Sequence, residues 1–379
     1  MSPEQLTTRA SAVPFHDLGP TNAPHRDAIL ADIAALIDAA AFTNGPQVAE
    51  FEGAFAAYCD VAHCVGLASG LDALRLGLLA AGLEQGDEVL VPANTFIATF
   101  EAIVQAGGVP VPVDASAADY NIDPAAAEAA VTSHTRFILP VHLYGQMADM
   151  RSLLALAERC GLIVVEDACQ AHGATRDGLG AGAAGLAGAF SFYPGKNLGA
   201  FGDAGALTTS DAVLADTVRA LREHGQRAKY MHDMQGYTSR LDSIQAIVLR
   251  HKLTSLADAT AQRRRAADRY RSMLESVGDV ETLPVPAGSE PVWHLFPVRT
   301  EHRDGLAAHL SQRGVATSRH YPVPPHLSGA FSELGYGQGA FPVTESLAAR
   351  LLSLPFFPGM SDEQIDAVVG AIEEFFDGR

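Results

Sequence analysis

Residues 189–205 read AFSFYPGKNLGAFGDAG, a strand-like apolar segment followed by a glycine-rich turn that holds Lys196. The chain contains only three lysines, and arginine supplies nearly all of its other positive charge. An amine can form a Schiff base, whereas a guanidinium stays protonated and cannot. The stretch therefore has two interpretations, either a reactive amine at Lys196 or an ordinary lysine of a surface loop.

The sequence on both sides of this stretch alternates between short apolar segments and segments with helical spacing. Strands are predicted at 63–67, 88–91, 109–114, 137–141 and 162–165, with helices between them. Short apolar strands that alternate with helices are typical of a mostly parallel sheet covered on both faces. The predicted fold class is therefore α/β.

Several polar or aromatic residues directly follow these strands. In a parallel sheet the ligand site lies beyond the carboxyl ends of the strands. We expect one crevice at this edge to gather Ser69, Phe96, His142 and Asp167.

The alternation of short strands and helices ends at about residue 243. A long helical stretch to about residue 277 leads into a strand-like WHLFPVR segment, and a terminal helix is predicted at 361–376. We predict that residues 1–242 form an irregular arm (1–24) and a large α/β domain. Residues 243–379 are predicted to form a smaller α+β domain.

Composition excludes several classes of protein. The net charge of −18 argues against a nucleic-acid binder, which would carry a basic stripe. No apolar run is long enough to span a membrane, and the N-terminus lacks the apolar region of a signal peptide. The four cysteines form no C-x-x-C pair and no cluster with zinc spacing, so we expect no metal site and a cytoplasmic protein.

Two glycine-rich stretches resemble nucleotide-binding motifs without their context. Residues 180–185, GAGAAG, match G-x-G-x-x-G, but a dinucleotide site requires a strand directly before the motif and a helix after it. Here a strand-like segment follows instead. The PGKN sequence at 194–197 is not a P-loop, because Phe190 stands where that motif needs glycine.

Four elements on successive strand ends together favour a pyridoxal phosphate (PLP) site. PLP needs a lysine amine, an acid at the pyridine nitrogen, a phosphate cup and usually a stacked aromatic ring. Lys196 and Asp167 are the candidate amine and acid, and Gln170 lies close to that acid. Ser69-Gly70, between a strand and a helix, is the candidate cup, although a plain helix cap has the same pattern.

The sequence resembles the DegT/StrS-type sugar aminotransferases, a branch of the fold-type I PLP enzymes. The likeness runs from about Thr43 to the C-terminus. It is carried by ASGLDAL, GDEVLVPANTFIAT, VVEDACQAHGA, SFYPGKNLGAFGDAGA, SRLDSIQA and SRHYPVPPH, among other stretches.

The resemblance implies a role for each matching residue. It makes Lys196 the Schiff-base lysine, Asp167 the partner of the pyridine nitrogen and Gln170 the partner of the ring hydroxyl. It further assigns Ser69, Gly70 and Ser191 to the phosphate, Phe96 to ring stacking, and Tyr193, His320 and Tyr321 to the sugar.

The family forms homodimers whose active sites lie at the subunit interface, with residues near 229–240 contributed by the neighbour. At the position of Thr238, many members have an asparagine that reaches the neighbour's cofactor phosphate. Lys229 and Arg240 are candidate cations for a substrate diphosphate, although a place on a helix face would explain either residue as well.

The retained Lys196 favours transamination, because related dehydratases carry histidine there. The resemblance implies that L-glutamate donates the amino group through pyridoxamine phosphate (PMP) to C3 of a dTDP-3-keto-6-deoxyhexose. The alternatives are a C4 nucleotide-sugar aminotransferase, a cyclitol aminotransferase, and a non-catalytic regulatory protein on the same fold.

Overall fold

The computed structural model describes residues 13–378. The α-helices in this range are α1 (Gly19–Asn22), α2 (Arg26–Ala39), α3 (Pro46–Tyr58), α4 (Gly70–Ala80), α5 (Ile97–Ala106), α6 (Pro124–Ala129), α7 (Met150–Cys160), α8 (Ala212–Leu221), α9 (Ser243–Leu253), α10 (Leu256–Met273), α11 (Arg303–Gln312), α12 (Pro342–Arg350) and α13 (Asp362–Asp377). None of these helices has the length and apolar character that crossing a membrane requires.

The strands of the same range form one large sheet and three small ones. They are β1 (His63–Leu67), β2 (Glu88–Pro92), β3 (Val109–Val113), β4 (Thr135–Ile138), β5 (Ile163–Asp167), β6 (Thr175–Arg176), β7 (Leu179–Gly180), β8 (Ala187–Ser191), β9 (Gly205–Thr209), β10 (Gln226–Ala228), β11 (Met231–His232), β12 (Glu281–Thr282), β13 (Ser289–Glu290), β14 (Phe296–Arg299) and β15 (Leu351–Leu354).

The large sheet has seven strands in the order β1-β9-β8-β5-β4-β2-β3. All pairs from β8 to β3 are parallel, whereas β9 runs antiparallel to both β1 and β8. Most strand residues are buried, as expected of a sheet with helices on both faces. The predicted α/β class with a mostly parallel sheet is confirmed.

One strand prediction shifts at a proline. The strand predicted at 137–141 ends at Ile138, because Pro140 has no N–H to donate to a ladder. Its carbonyl still accepts a hydrogen bond from the Asp167 N–H at 2.8 Å, and the Asp167 carbonyl accepts from His142 N–H at 3.0 Å. These bonds hold the carboxyl end of β5 in place.

The prediction of an irregular arm over residues 1–24 is wrong for residues 19–24. The arm's first twelve residues lie outside the described range. Residues 19–25 form α1 and a 3-10 turn, each with a proline in its first two positions, where an N–H has no helical partner. Residues 13–18 form no helix, and Val13 forms a β-bridge with Val315 in the C-terminal part of the chain.

The C-terminal third contains a three-stranded sheet in the order β12-β14-β15, against which helices pack. The long helix predicted from 243 to 277 is two helices, because the chain turns at Thr254 and Ser255 between α9 and α10. In α9, Ile247 and Val248 pack against Ile29 and Leu36 of α2. The domain boundary placed at residue 242 stays a prediction.

Candidate active site

A cavity of about 840 Å³ lies at the carboxyl edge of the large sheet. It opens where β1, β2, β5 and β8 end, which is the edge that the strand pattern indicates. Ten of the predicted site residues line it: Ser69, Gly70, Phe96, Asp167, Gln170, Ser191, Tyr193, Lys196, His320 and Tyr321.

The carboxylate of Asp167, the last residue of β5, is held at both oxygens. Oδ2 accepts a hydrogen bond from the Thr99 hydroxyl at 2.9 Å, and Oδ1 accepts from the Cys169 N–H at 3.1 Å. The Thr95 hydroxyl lies 2.8 Å from that of Thr99. The acid is therefore fixed in orientation at the cavity wall.

Lys196 lies on the tight loop between β8 and β9. Its N–H donates to the Tyr193 carbonyl at 2.8 Å, and Gly199 packs so closely that a Cβ there would lie 2.3 Å from the Pro194 carbonyl oxygen. Burial lowers the pKa of the Lys196 amine, although Cys169 and Asp167 act in the opposite direction. A lowered pKa increases the fraction of neutral, nucleophilic amine.

A second lysine, Lys252, donates a hydrogen bond to the loop that holds Lys196. Lys252 is only 6% exposed and donates from Nζ to the Gly199 carbonyl at 2.6 Å. No ion pair to it is found among residues 13–378. Burial lowers the pKa of Lys252 to about 8.

Ser69 and Gly70 form a cup at the N-terminus of α4. The Ser69 hydroxyl caps the helix by accepting from the Asp72 N–H at 3.1 Å. A Cβ on Gly70 would lie 2.7 Å from Cys169 Sγ and 2.7 Å from Ser191 Cβ, so only glycine fits. The free N–H groups and dipole of this helix end favour an anion such as a phosphate.

Aromatic residues also line this cavity. The rings of Phe96 and Tyr321 lie 5.1 Å apart, and Phe96, which is 49% exposed, lines the cavity. Gln170 accepts from the Tyr144 N–H at 2.7 Å and donates to the Tyr321 hydroxyl at 3.1 Å. Burial raises the pKa of Tyr321, so its hydroxyl stays protonated.

These groups match what PLP requires. One cavity holds an accessible amine, an oriented carboxylate, an anion cup that excludes a Cβ, and an aromatic ring at the wall. Each is a separate requirement of the cofactor, for its aldehyde carbon, pyridine nitrogen, phosphate and ring face. The residues present therefore fit PLP.

The G-x-G-x-x-G stretch has a structural role. Glu166, fully buried, accepts hydrogen bonds from the N–H groups of Gly182 at 3.0 Å, Ala184 at 2.8 Å and Gly185 at 2.7 Å. Gly182 has a φ of +80°, and a Cβ on it would lie 2.4 Å from the Phe190 ring. The glycines allow the loop to wrap a buried carboxylate rather than a nucleotide.

The prediction that His142 lines the crevice is wrong. His142 is fully buried and donates from Nε2 to Glu166 at 2.8 Å, while its Nδ1 accepts from the Ala148 N–H at 3.2 Å. A histidine after a strand end can point back into the core, and the buried Glu166 draws it there.

Three predicted residues do not line this cavity. The Thr238 hydroxyl lies 3.0 Å from His224 Nε2, and Arg240 forms an ion pair with Glu223 at 2.9 Å. Lys229 lines a separate cavity of about 340 Å³. Within one chain these residues lie apart from Lys196.

The sequence interpretation missed several residues of the cavity wall. Thr99 holds Asp167, and the i, i+4 spacing of Thr95 and Thr99 at a helix start is a signal that was available. His16 and His294 also line the cavity, but they are far from the motifs in sequence and no pattern identifies them.

The family model of the DegT/DnrJ/EryC1/StrS aminotransferases matches residues 25–373. The erythromycin biosynthesis sensory transduction protein EryC1 of Saccharopolyspora erythraea is 47% identical over 361 residues, which cover 95% of this chain and 99% of EryC1. A dTDP-3-amino-3,4,6-trideoxy-alpha-D-glucose transaminase of Streptomyces venezuelae is 47% identical over 373 residues, which cover 98% of both chains.

Solved structures agree with this likeness. The crystal structure of S. venezuelae DesV in complex with a ketimine intermediate has a TM-score of 0.94 and 46% identity, covering 97% of this chain and 99% of DesV. That of NtdA from Bacillus subtilis with bound cofactor PMP has a TM-score of 0.91 and 33% identity, covering 98% of this chain and 86% of NtdA.

Proposed function

Because the chain belongs to the DegT/DnrJ/EryC1/StrS aminotransferase family, we propose that it transfers an amino group from L-glutamate to C3 of a dTDP-3-keto-6-deoxyhexose. The chain is a PLP-dependent enzyme. The observation that carries the proposal is the meeting of Lys196, Asp167 and the Ser69-Gly70 cup in one cavity.

Bound PLP supplies an electron sink and carries the amino group between the two half-reactions. We assign the Ser69-Gly70 cup and the Ser191 hydroxyl to its phosphate, and Phe96 to its ring face. We assign Gln170 to the ring hydroxyl, because its amide has a second hydrogen to donate besides the one bonded to Tyr321.

Asp167 has the role of keeping the pyridine nitrogen protonated. Hydrogen bonds from Thr99 and from the Cys169 N–H fix the orientation of its carboxylate. The carboxylate therefore keeps this orientation when the ring nitrogen is protonated. A nearby anion favours the protonated, cationic form of a ring nitrogen. The amide in Asp167→Asn cannot do so, and this variant should lose orders of magnitude in turnover.

Lys196 moves the proton at the reacting carbon. Its amine, with a lowered pKa, takes the proton from the α-carbon of glutamate and delivers a proton to C3 of the sugar in the second half-reaction. Tyr193, His320 and Tyr321 line the same cavity and are assigned to the sugar.

C3 is favoured over the other positions because the 47% identical S. venezuelae relative is named for a 3-amino sugar. A C4 nucleotide-sugar aminotransferase and a cyclitol aminotransferase would use the same Lys196 and Asp167, so only product analysis separates these three.

We propose a homodimer in which the neighbour completes the site. The β10–β11 hairpin exposes Tyr230 by 79% and Met231 by 63%, which a second copy would cover. In this arrangement Thr238 reaches the neighbour's cofactor phosphate, and Lys229 and Arg240 meet the diphosphate. Arg240 would do so beside its Glu223 partner.

The visible absorption spectrum tests the cofactor and donor assignments first. The bound cofactor should colour the protein yellow, and L-glutamate should bleach that colour in wild type. Adding dTDP-3-keto-6-deoxyglucose should then restore it, with a C3-aminated sugar as the product in mass and NMR spectra. Amination of a 4-keto sugar or a keto-cyclitol instead would refute the C3 assignment.

A regulatory protein is the second candidate, because the 47% identical EryC1 is named a sensory transduction protein. A protein that only regulates does not need Lys196, Asp167 and the cup together in one cavity. Indifference of the bound cofactor to every amino donor would favour this candidate. We also propose a cytoplasmic location, which is consistent with four free thiols.

A further inference from the structure

Residues 13–18 bring the N-terminal arm to the wall of the cavity. Val13 exchanges backbone hydrogen bonds with Gly314 at 2.9 Å and Ala316 at 3.0 Å, and the Phe15 carbonyl accepts from the Phe356 N–H at 3.2 Å. The Phe15 ring stacks on His320 with centroids 5.7 Å apart. The arm is thus fixed to the C-terminal part of the chain at successive points.

These contacts place the His16 side chain on the cavity wall with one ring nitrogen already engaged. Nδ1 lies 3.3 Å from the Phe356 carbonyl oxygen, which can only accept a hydrogen bond. Nδ1 therefore carries the hydrogen, and Nε2 has a free lone pair. Burial and the nearby Arg263 lower the pKa of His16 to about 4, so the ring is neutral.

His294 also lines the cavity and has the same arrangement of its ring nitrogens. The Asn197 amide donates from Nδ2 to the Val292 carbonyl at 3.0 Å, so its Oδ1 accepts from His294 Nδ1 at 3.2 Å. His294 Nε2 is then also an acceptor. Burial and Lys196 lower the pKa of His294 well below its usual range.

We propose that His16, with His294 beside it, is a specificity-determining residue that accepts a hydrogen bond from a hydroxyl group of the hexose. This inference rests on the proposed function, since it names the part of the nucleotide sugar that the N-terminal arm contacts.

The chemistry of the acceptor excludes most other parts of the two substrates. A lone pair on a neutral imidazole repels the oxygen atoms of a diphosphate or of the glutamate carboxylates, which also only accept. It binds an O–H or N–H donor. The donors left on the nucleotide sugar are the hexose hydroxyls, the deoxyribose hydroxyl and the nucleobase N–H, and a hexose that reacts at Lys196 must lie in this same cavity.

Equilibrium binding to the PLP-loaded enzyme separates these sources. The probes are dTDP and dTDP-glucose, which has no keto group to react, and calorimetry gives the affinity for each. Wild type should prefer dTDP-glucose. His16→Phe removes the acceptor and should weaken dTDP-glucose binding by about three- to tenfold, the effect of one neutral hydrogen bond, while leaving dTDP binding unchanged.

Two further variants control for shape and for substitution itself. His16→Gln can donate to the Phe356 carbonyl and accept from the sugar, so it should keep wild-type affinity within about twofold. His134→Phe changes an exposed histidine outside the cavity and should have no effect. Bleaching by L-glutamate should also proceed at the wild-type rate in His134→Phe.

The outcomes are distinguishable. A wild type with no preference for dTDP-glucose over dTDP refutes the proposed sugar substrate, and the role of His16 with it. A wild-type preference that His16→Phe retains overturns His16 alone. Equal losses for dTDP and dTDP-glucose would move the contact to the deoxyribose hydroxyl or the nucleobase. An equal loss in His16→Gln would show that the shape of the side chain, rather than its acceptor, matters.

Discussion

Replacing Glu166 with glutamine should destabilise the protein strongly, although the two side chains have the same shape. Each carboxylate oxygen accepts two hydrogen bonds: Oε2 from His142 Nε2 and Gly182 N–H, and Oε1 from the N–H groups of Ala184 and Gly185. Whichever way a glutamine amide is turned, its NH₂ group faces two donors. Two hydrogen bonds are therefore lost.

The magnitude follows from the type of bond. Hydrogen bonds to a charged group contribute about 1.5–3 kcal/mol each, so the loss of two costs about 3–6 kcal/mol. The site is fully buried, and water cannot replace the missing acceptor.

Urea unfolding of the PLP-loaded protein, followed by circular dichroism, measures this cost. The matched control is Glu158→Gln, on the exposed face of α7, and it should leave the unfolding midpoint unchanged. If Glu166→Gln were within about 1 kcal/mol of that control, the four-bond description of Glu166 would be wrong.

Three other variants test the site and its support. Lys196→Ala should hold PLP without bleaching by L-glutamate and without turnover, at a nearly unchanged melting temperature; bleaching at the wild-type rate would remove Lys196 from the mechanism. Gly70→Ala should weaken PLP binding about tenfold in a spectroscopic titration, because its Cβ would lie 2.7 Å from Cys169 Sγ and overpacking costs about 1–3 kcal/mol. Gly53→Ala, with open space around its Cβ, is the control, and equal affinities in the two would contradict the packing argument. Burial lowers the pKa of Lys252 to about 8 from 10.5, so the unfolded chain binds more protons between these pH values and stability rises with pH there. The free energy of unfolding of wild type relative to Lys252→Met should rise by about 3 kcal/mol from pH 7 to 10.5, and parallel curves would refute the shift.

Much of the sheet and its site was predictable because the signals are local. The apolar run before Asp167 and the strand-like segment before Lys196 both end at the carboxyl edge of a parallel sheet, and that geometry alone predicts that they meet. The Ser69 cap is likewise local, since its hydroxyl bonds a backbone N–H three residues ahead.

The wrong placement of His142 arose because the partner of its side chain is distant in sequence. His142 follows the end of β4, and Asp167 ends β5. The His142 side chain points into the core because it donates a hydrogen bond to the buried carboxylate of Glu166. The sequence context excluded a dinucleotide site at the G-x-G-x-x-G stretch, but only the structure shows that this loop surrounds the same carboxylate.

The sequence by itself determined the alternation of strands and helices, the sheet edge at which the cavity lies, and two residues that line this cavity, Lys196 and Asp167. Only the tertiary structure decided that β9 runs against its neighbours and that the N-terminal arm reaches the cavity. His16 is 340 residues from the Phe356 carbonyl that fixes its tautomer. Local patterns report each residue's own backbone and burial, whereas such a contact exists only after the whole chain has packed.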